Sequence, residues 1–444
     1  MQKNQIIEIL SDWNFWAKEI NTGITREEYL NTLLGLITKT NQIICIAGIR
    51  RSGKSTLIKQ IARQLIDQQN ADTLIVNFED ERFWKRDLEL MIDIYNTYLE
   101  KVKPKSKPFI FLDEIQNIPE WERFARGVHE RNEAKVIVSG SSSKLLSAEL
   151  ATLLTGRHIM FFVQPLSFKE FLTFKNMPIA NEIEILTHRT VIKQLLDEYR
   201  EYGGFPEVVL SHDKQRILLG YFETMIVRDV IERFNIRERE KIRTIAKFYL
   251  TNISSQISFN KISGFLNIPL TTVERFSTHL ETANVVFFLK KFSFSFKEQE
   301  KAQRKIYSTD VGLSNTIGFK FSENPGKIME NIIAVELKRR QSFNPQIEIY
   351  YWKDYQQREV DFVVKEGLEV VQLIQVCHNI TSMETKEREI RSLIRAMKEF
   401  KLTEGFIITD DLESEEEIKG FKIKYVPMWK WLLFELDNLL NKVE

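Results

Sequence analysis

The residues best suited to chemistry lie in Ile43-Ile44-Cys45-Ile46-Ala47-Gly48-Ile49-Arg50-Arg51-Ser52-Gly53-Lys54-Ser55-Thr56. An apolar run fit for a buried strand breaks at Gly48 into a G-x-x-x-x-G-K-[ST] loop, and a helix-forming segment, 57–68, follows. Gly48 and Gly53 let the backbone N–H groups from Ile49 through Ser52 close around phosphate oxygens. The positive end of the helix entered through Ser55 and Thr56 adds to that field. In such a loop Lys54 reaches the β- and γ-phosphates and the Ser55 hydroxyl is a ligand of Mg²⁺. A nucleoside triphosphate with Mg²⁺ is the expected ligand pair. The competing reading is a glycine-containing turn before an ordinary helix.

Two carboxylates stand where such a loop needs them. Phe109-Ile110-Phe111-Leu112 ends in Asp113-Glu114, a buried strand that delivers Asp113 to the Mg²⁺ shell and Glu114 to the attacking water. The strand Lys135-Val136-Ile137-Val138 ends in Ser139-Gly140-Ser141-Ser142-Ser143. Ser139 is there either a sensor that hydrogen-bonds the water or the γ-phosphate, or part of Ser/Gly turn chemistry. A helix is expected over 144–154. Arg157, just before the apolar strand 158–163, is a candidate arginine finger on its own or a neighbouring copy's nucleotide, and a plain surface arginine otherwise.

The elements that must position these groups alternate strand and helix, which predicts an α/β core with a parallel sheet. A chain of 444 residues is long for one core. Apolar residues make up 43% and charged residues 28%, ordinary values for a globular protein. With 63 Lys and Arg against 62 Asp and Glu, a chain-wide basic field for nucleic acid is excluded, though local patches are not. Two cysteines, Cys45 and Cys377, offer no disulfide framework and fit a reducing compartment. No apolar stretch approaches the ~20 residues that span a bilayer. The first residues lack the apolar region of a signal peptide, so a cytoplasmic protein is expected. Residues 1–35 read as helical, with Ile7, Leu10, Trp13 and Trp16 on one face packing against the nucleotide core.

The loop Gly48 to Ser55, with Asp113-Glu114 and Gly140-Ser141-Ser142-Ser143, resembles the AAA-type, STAND-like P-loop ATPases of archaea and bacteria. The paired arginines in the loop are characteristic of that group. The resemblance implies a core over 36–164, a helical lid over 165–236, a winged helix over 237–297 and a C-terminal domain over 298–444 related to PD-(D/E)xK nucleases. It also places Gly204 and Pro206 of Tyr202-Gly203-Gly204-Phe205-Pro206 against the adenine, whereas the residues themselves read as a helix break.

In the winged helix, DNA would be read by the helix Thr271 to Glu281, whose basic groups are Arg275 and His279; an interdomain spacer is the other reading. Phe292, Phe294 and Phe296 alternate through a basic run up to Lys305, which reads as a solvated strand edge. The last domain offers Glu330 and Asp361, as the nuclease resemblance requires. Gln375-Val376-Cys377 stands where Glu-x-Lys belongs. Gln375 retains an oxygen ligand, and Lys386 or Arg388 are the candidates to replace the missing lysine, but a degenerate domain used for binding is the better reading. Three functions compete: an ATP-driven switch acting on an unidentified protein partner, an ATP-gated DNA-processing factor, and a small-molecule kinase, against which Glu114 argues. A finger acting in trans would make the protein a homo-oligomer.

Overall fold

The computed structural model describes residues 1–141, 154, 156–179, 181–319, 324–380 and 382–440, without the side chains of 182 and 435–440. Ser142, Ser143 and, but for Leu154, the helix expected over 144–154 lie outside the described residues. The chain forms two compact units, Met1–Gln164 and Pro165–Glu444.

The first unit runs α1 (Lys3–Ser11), α2 (Glu27–Lys39), β1 (Ile43–Gly48), α3 (Lys54–Gln69), β2 (Thr73–Asn77), α4 (Leu88–Lys101), β3 (Phe109–Asp113), α5 (Trp121–Glu130), β4 (Lys135–Ser141) and β5 (His158–Val163). The five strands are parallel in the order β2-β3-β4-β1-β5. Helices cover such a sheet on both faces, so its central strands are apolar without alternation; every residue of β1 and β4 is buried. The edge strand β2 is covered in an unusual way. Asn14 accepts from the Ile75 N–H at 2.7 Å and donates to the Ile75 carbonyl at 2.8 Å, and Trp16 donates to the Thr73 carbonyl at 3.1 Å. Side chains thereby satisfy backbone groups that a missing sixth strand would have taken. Helix α2 runs through residue 35, so the expected boundary there cuts a continuous helix.

In the second unit, helices from Phe168 to Thr224 and a π-helical stretch, Met225–Glu232, lead to the helix Arg239–Thr251. Then come β6 (Ser255–Ile257), helices Phe259–Leu266 and Leu270–Thr282, β7 (Val286–Leu289) and β8 (Arg304–Ser308), forming an antiparallel sheet in the order β6-β8-β7. The run after β7 is not the strand its alternation predicts. Phe292 turns into the core against Tyr350 and Phe400, Phe294 and Phe296 stay exposed, and 296–301 is helical. The expected boundary at 297/298 therefore cuts a helix, and the three-strand module continues to Ser308. Past the helix Pro325–Phe343 lies a sheet of β9 (Ile347–Lys353), β10 (Glu359–Glu366), β11 (Glu369–Cys377), β12 (Glu404–Thr409), β13 (Ser414–Ile418) and β14 (Phe421–Pro427), ordered β13-β14-β12-β11-β10-β9. The helix Met383–Phe400 packs on it through Leu393, Ala396 and Met397.

Candidate functional site

β1 ends at Gly48 because nothing larger fits: a Cβ there would meet the Val163 carbonyl oxygen at 2.4 Å. The chain then turns through Arg51 and Gly53, both at positive φ, into α3. Positive φ costs glycine little, and Gly53 sits at +93°. Lys54, the first residue of α3, is buried, and its Nζ donates to the carbonyls of Gly48 and Ile49, each at 3.1 Å. Ser55 is half-buried in the first helical turn, where N–H groups lack intrahelical partners.

The loop rests on a residue that the sequence reading passed over. The buried Arg26 guanidinium donates to the Ser52 carbonyl at 2.8 Å and the Gln164 carbonyl at 3.0 Å, and stacks over Tyr29. Gln60 of α3 holds the approach to Arg26 by donating to the Thr22 and Ile24 carbonyls at 2.8 and 2.9 Å. No local signal marks Arg26, since its partners lie 26 and 138 residues away.

Asp113 ends β3, and parallel pairing sets Ser139 of β4 beside it and Ile46 of β1 beyond. Ser139 donates its hydroxyl to Asp113 Oδ1, which also accepts the Glu114 N–H at 3.1 Å. The expected sensor hydroxyl is thus turned onto the carboxylate and serves to orient it. Glu114 takes a left-handed conformation, φ +51°, at the strand end and is buried, with Gln116 donating to its carboxylate. Burial raises its pKa above the usual glutamate range. Lys54 opposes that shift, Asp113 adds to it, and Arg50 opposes it more weakly. Lys54, Arg50, Asp113 and Glu114 thus share one electrostatic neighbourhood. Arg50 is also paired with Glu79, beyond β2, at 3.2 Å.

Arg157 is elsewhere. Its carbonyl accepts the Ile43 N–H at the start of β1, and its guanidinium pairs with Glu130 at 3.3 Å. The six residues of β1, Ile43 to Gly48, about 17 Å end to end, separate it from the loop. This corrects the reading of Arg157 as a finger on its own chain's nucleotide.

In the second unit, the Gly203-Gly204-Phe205-Pro206 break is fixed by packing. Gly204 N–H donates to Asp310 at 2.7 Å, a Cβ on Gly203 would overlap that carboxylate, and Pro206 opens the helix Pro206–Leu210. The second carboxylate group lies between the three-strand module and the C-terminal sheet. Lys305 of β8, expected at a solvated edge, is buried, with Nζ 2.9 Å from Glu330, 2.8 Å from Asp361 and 2.7 Å from Glu359. Tyr307 donates to Glu330 at 2.7 Å. Burial, reinforced by Asp361, raises the Glu330 pKa. Gln375 is not the free oxygen ligand expected: its Oε1 accepts the Asp361 N–H at 3.2 Å and its Nε2 donates to Glu389 at 2.6 Å. Lys386 pairs with Glu416 and Arg388 with Glu389, so neither is the lysine of this cluster.

Uncharacterised protein MJ1544 of Methanocaldococcus jannaschii is 34% identical over 408 residues, 88% of each chain. The chain belongs to that protein's family. Another relative, an uncharacterised protein of Haemophilus influenzae, is 29% identical over 418 residues, covering 91% of this chain and 98% of its own. Within this family member, residues 40–172 match an AAA domain, and 193–323 and 325–431 match two domains of unknown function, DUF8612 and DUF4143. Among solved structures, the Walker-type ATPase Paby2304 of Pyrococcus abyssi aligns at 14% identity and TM-score 0.40, over 69% of this chain and 99% of its own. No helix among the described residues is long and apolar enough to cross a membrane.

Proposed function

We propose that the first unit binds ATP with Mg²⁺ and hydrolyses it, and that the nucleotide state acts as a switch on the rest of the chain. One observation carries this reading: the Gly48-to-Lys54 loop joins β1 to α3 in the same parallel sheet whose strand β3 ends in the buried pair Asp113-Glu114. The Gly48 and Ile49 carbonyls that hold Lys54 are neutral acceptors, which phosphate oxygens displace at little cost. The Ser55 hydroxyl and the Asp113 carboxylate are hard oxygen donors of the kind Mg²⁺ takes, and Asp113 is buried with its Oδ1 oriented by neutral donors. When bound, the ion would neutralise charge on the phosphates. Glu114, its basicity raised by burial, accepts a proton from the attacking water. The water oxygen bonds to the γ-phosphorus as the bridging P–O bond breaks, its electron pair leaving with ADP.

The second unit supports a spacer-and-partner reading over DNA processing. The order helix, strand, two helices and hairpin over 239–308 supports the winged-helix reading, but the helix that would read DNA has little charge to offer. Arg275 lies 3.9 Å from Glu238, and His279 stacks on Phe234 at 3.8 Å. Burial, then Arg275 and Arg233, lower the His279 pKa, so it stays neutral. In the nuclease-like sheet, the Lys305 ammonium stands among the acids that would ligate a metal. The domain is thus read as a binding scaffold for a protein partner. Pro206 remains a proposed contact of the adenine, and Arg157 can serve only a neighbouring copy in a homo-oligomer.

The test is Mg²⁺-dependent phosphate release from ATP by the full chain, with and without duplex DNA. Turnover indifferent to DNA supports the switch. Turnover that rises with DNA, in a salt-dependent way, would replace it with the DNA-gated reading.

A further inference from the structure

Hydrolysis of a terminal phosphate needs a cation where charge builds on the bridging and equatorial oxygens. The residue that motif order suggests for this task, Arg157, lies at the far end of the sheet. Arg50 lies in the loop itself, two residues past Gly48 and four before Lys54. Its side chain is mostly buried, at 16% exposure, and its NH1 reaches Glu79 at 3.2 Å. Arg51 takes a left-handed conformation and is exposed. Of the two loop arginines, then, it is Arg50 whose side chain is drawn inward, toward Glu79 beyond β2.

We propose that Arg50 is a built-in arginine finger: on ATP binding its guanidinium leaves Glu79 for the γ-phosphate and stabilises the transition state in cis. Glu79 holds the side chain in place beforehand. Its own carboxylate is 44% exposed, so one side of the pair stays open to water, where a phosphate can compete for the guanidinium. Guanidinium suits the task, because it stays charged and donates two parallel N–H bonds to phosphate oxygens. The proposal rests on the ATPase reading and assigns within it the group that meets the developing charge.

The experiment compares wild type, Arg50→Ala and Arg50→Lys in three assays: ATP turnover, affinity for a non-hydrolysable ATP analogue, and formation of the ADP–Mg²⁺–aluminium fluoride complex. The expected result for Arg50→Ala is a fall in kcat on the order of 10²- to 10³-fold, analogue affinity within about threefold of wild type, and no aluminium fluoride complex. Arg50→Lys, which keeps the charge and has the milder effect on the fold, should bind the analogue normally and fall between the two in kcat. Unchanged turnover in Arg50→Ala would overturn the proposal. So would analogue affinity that falls in step with kcat in both variants, the mark of a ground-state or structural role. A wild-type chain that binds the analogue but never turns over ATP would instead overturn the ATPase reading beneath it.

Discussion

Two buried lysines sit among acids in this molecule, and they are held differently. Lys54 donates to two neutral carbonyls of its own loop, with Asp113 and Glu114 close by. Lys305 is clasped directly by Glu330, Glu359 and Asp361. A phosphate oxygen can take the place of a neutral acceptor, because a charged acceptor binds an ammonium more strongly. Nothing from solution competes as easily for an ammonium already bound by carboxylates in a buried site. We read the first arrangement as one that a ligand can enter through its neutral acceptors, and the second as a structural cluster.

The sharpest way to break this contrast is Lys305→Met. Leaving the acids without their cation should destabilise the second unit by about 3–5 kcal/mol, seen as a lower unfolding midpoint, with ATP affinity unchanged. Adding Glu330→Gln and Asp361→Asn should restore much of it. Little loss in the single variant would show that the lysine is not structural. Asp310 sharpens the contrast as a buried acid held by backbone N–H groups, from Gly204 at 2.7 Å and Gly312 at 2.8 Å. Burial lifts its pKa to about 6, from an ordinary 3.8. Between those values the folded chain keeps a proton that the unfolded chain has released. Its contribution, up to about 3 kcal/mol, is therefore present below about pH 4 and lost as pH rises through 6. Denaturant unfolding of wild type and Asp310→Asn across that window should show their difference shrinking upward; a constant difference would refute the assignment.

On the nucleotide side, Lys54→Ala should weaken ATP binding on the order of 100-fold with little change in thermal stability, the reverse of the Lys305 pattern. The smallest effect is expected from Arg26→Ala. It removes the two charged hydrogen bonds to the Ser52 and Gln164 carbonyls and weakens ATP binding only several-fold, because the loop loses its support at Ser52. Calorimetric titration of the variant checks this; wild-type affinity would show that the loop keeps its shape alone.

Much of the first unit was legible because its signals are local. An apolar strand, a glycine turn and a helix follow one another within 43–69, and Asp113-Glu114 closes its own strand. What escaped depends on distance along the chain. Lys305 sits in a basic run that looks solvated, yet its partners are 25 and 56 residues further on. The alternation of Phe292, Phe294 and Phe296 suggested a strand, but only Phe292 finds a core to enter. Arg157 looked well placed by motif order, while parallel register carries it to the wrong end of the sheet. Ser139 donates to Asp113, a partner on a neighbouring strand that its own local sequence does not show.

The central claim is tested most directly by Mg²⁺-dependent phosphate release from ATP in wild type and Glu114→Gln. The account predicts turnover in wild type and in the variant a loss on the order of 100-fold or more while ATP stays bound. Equal turnover in the two proteins, or none in wild type despite bound ATP, would contradict it.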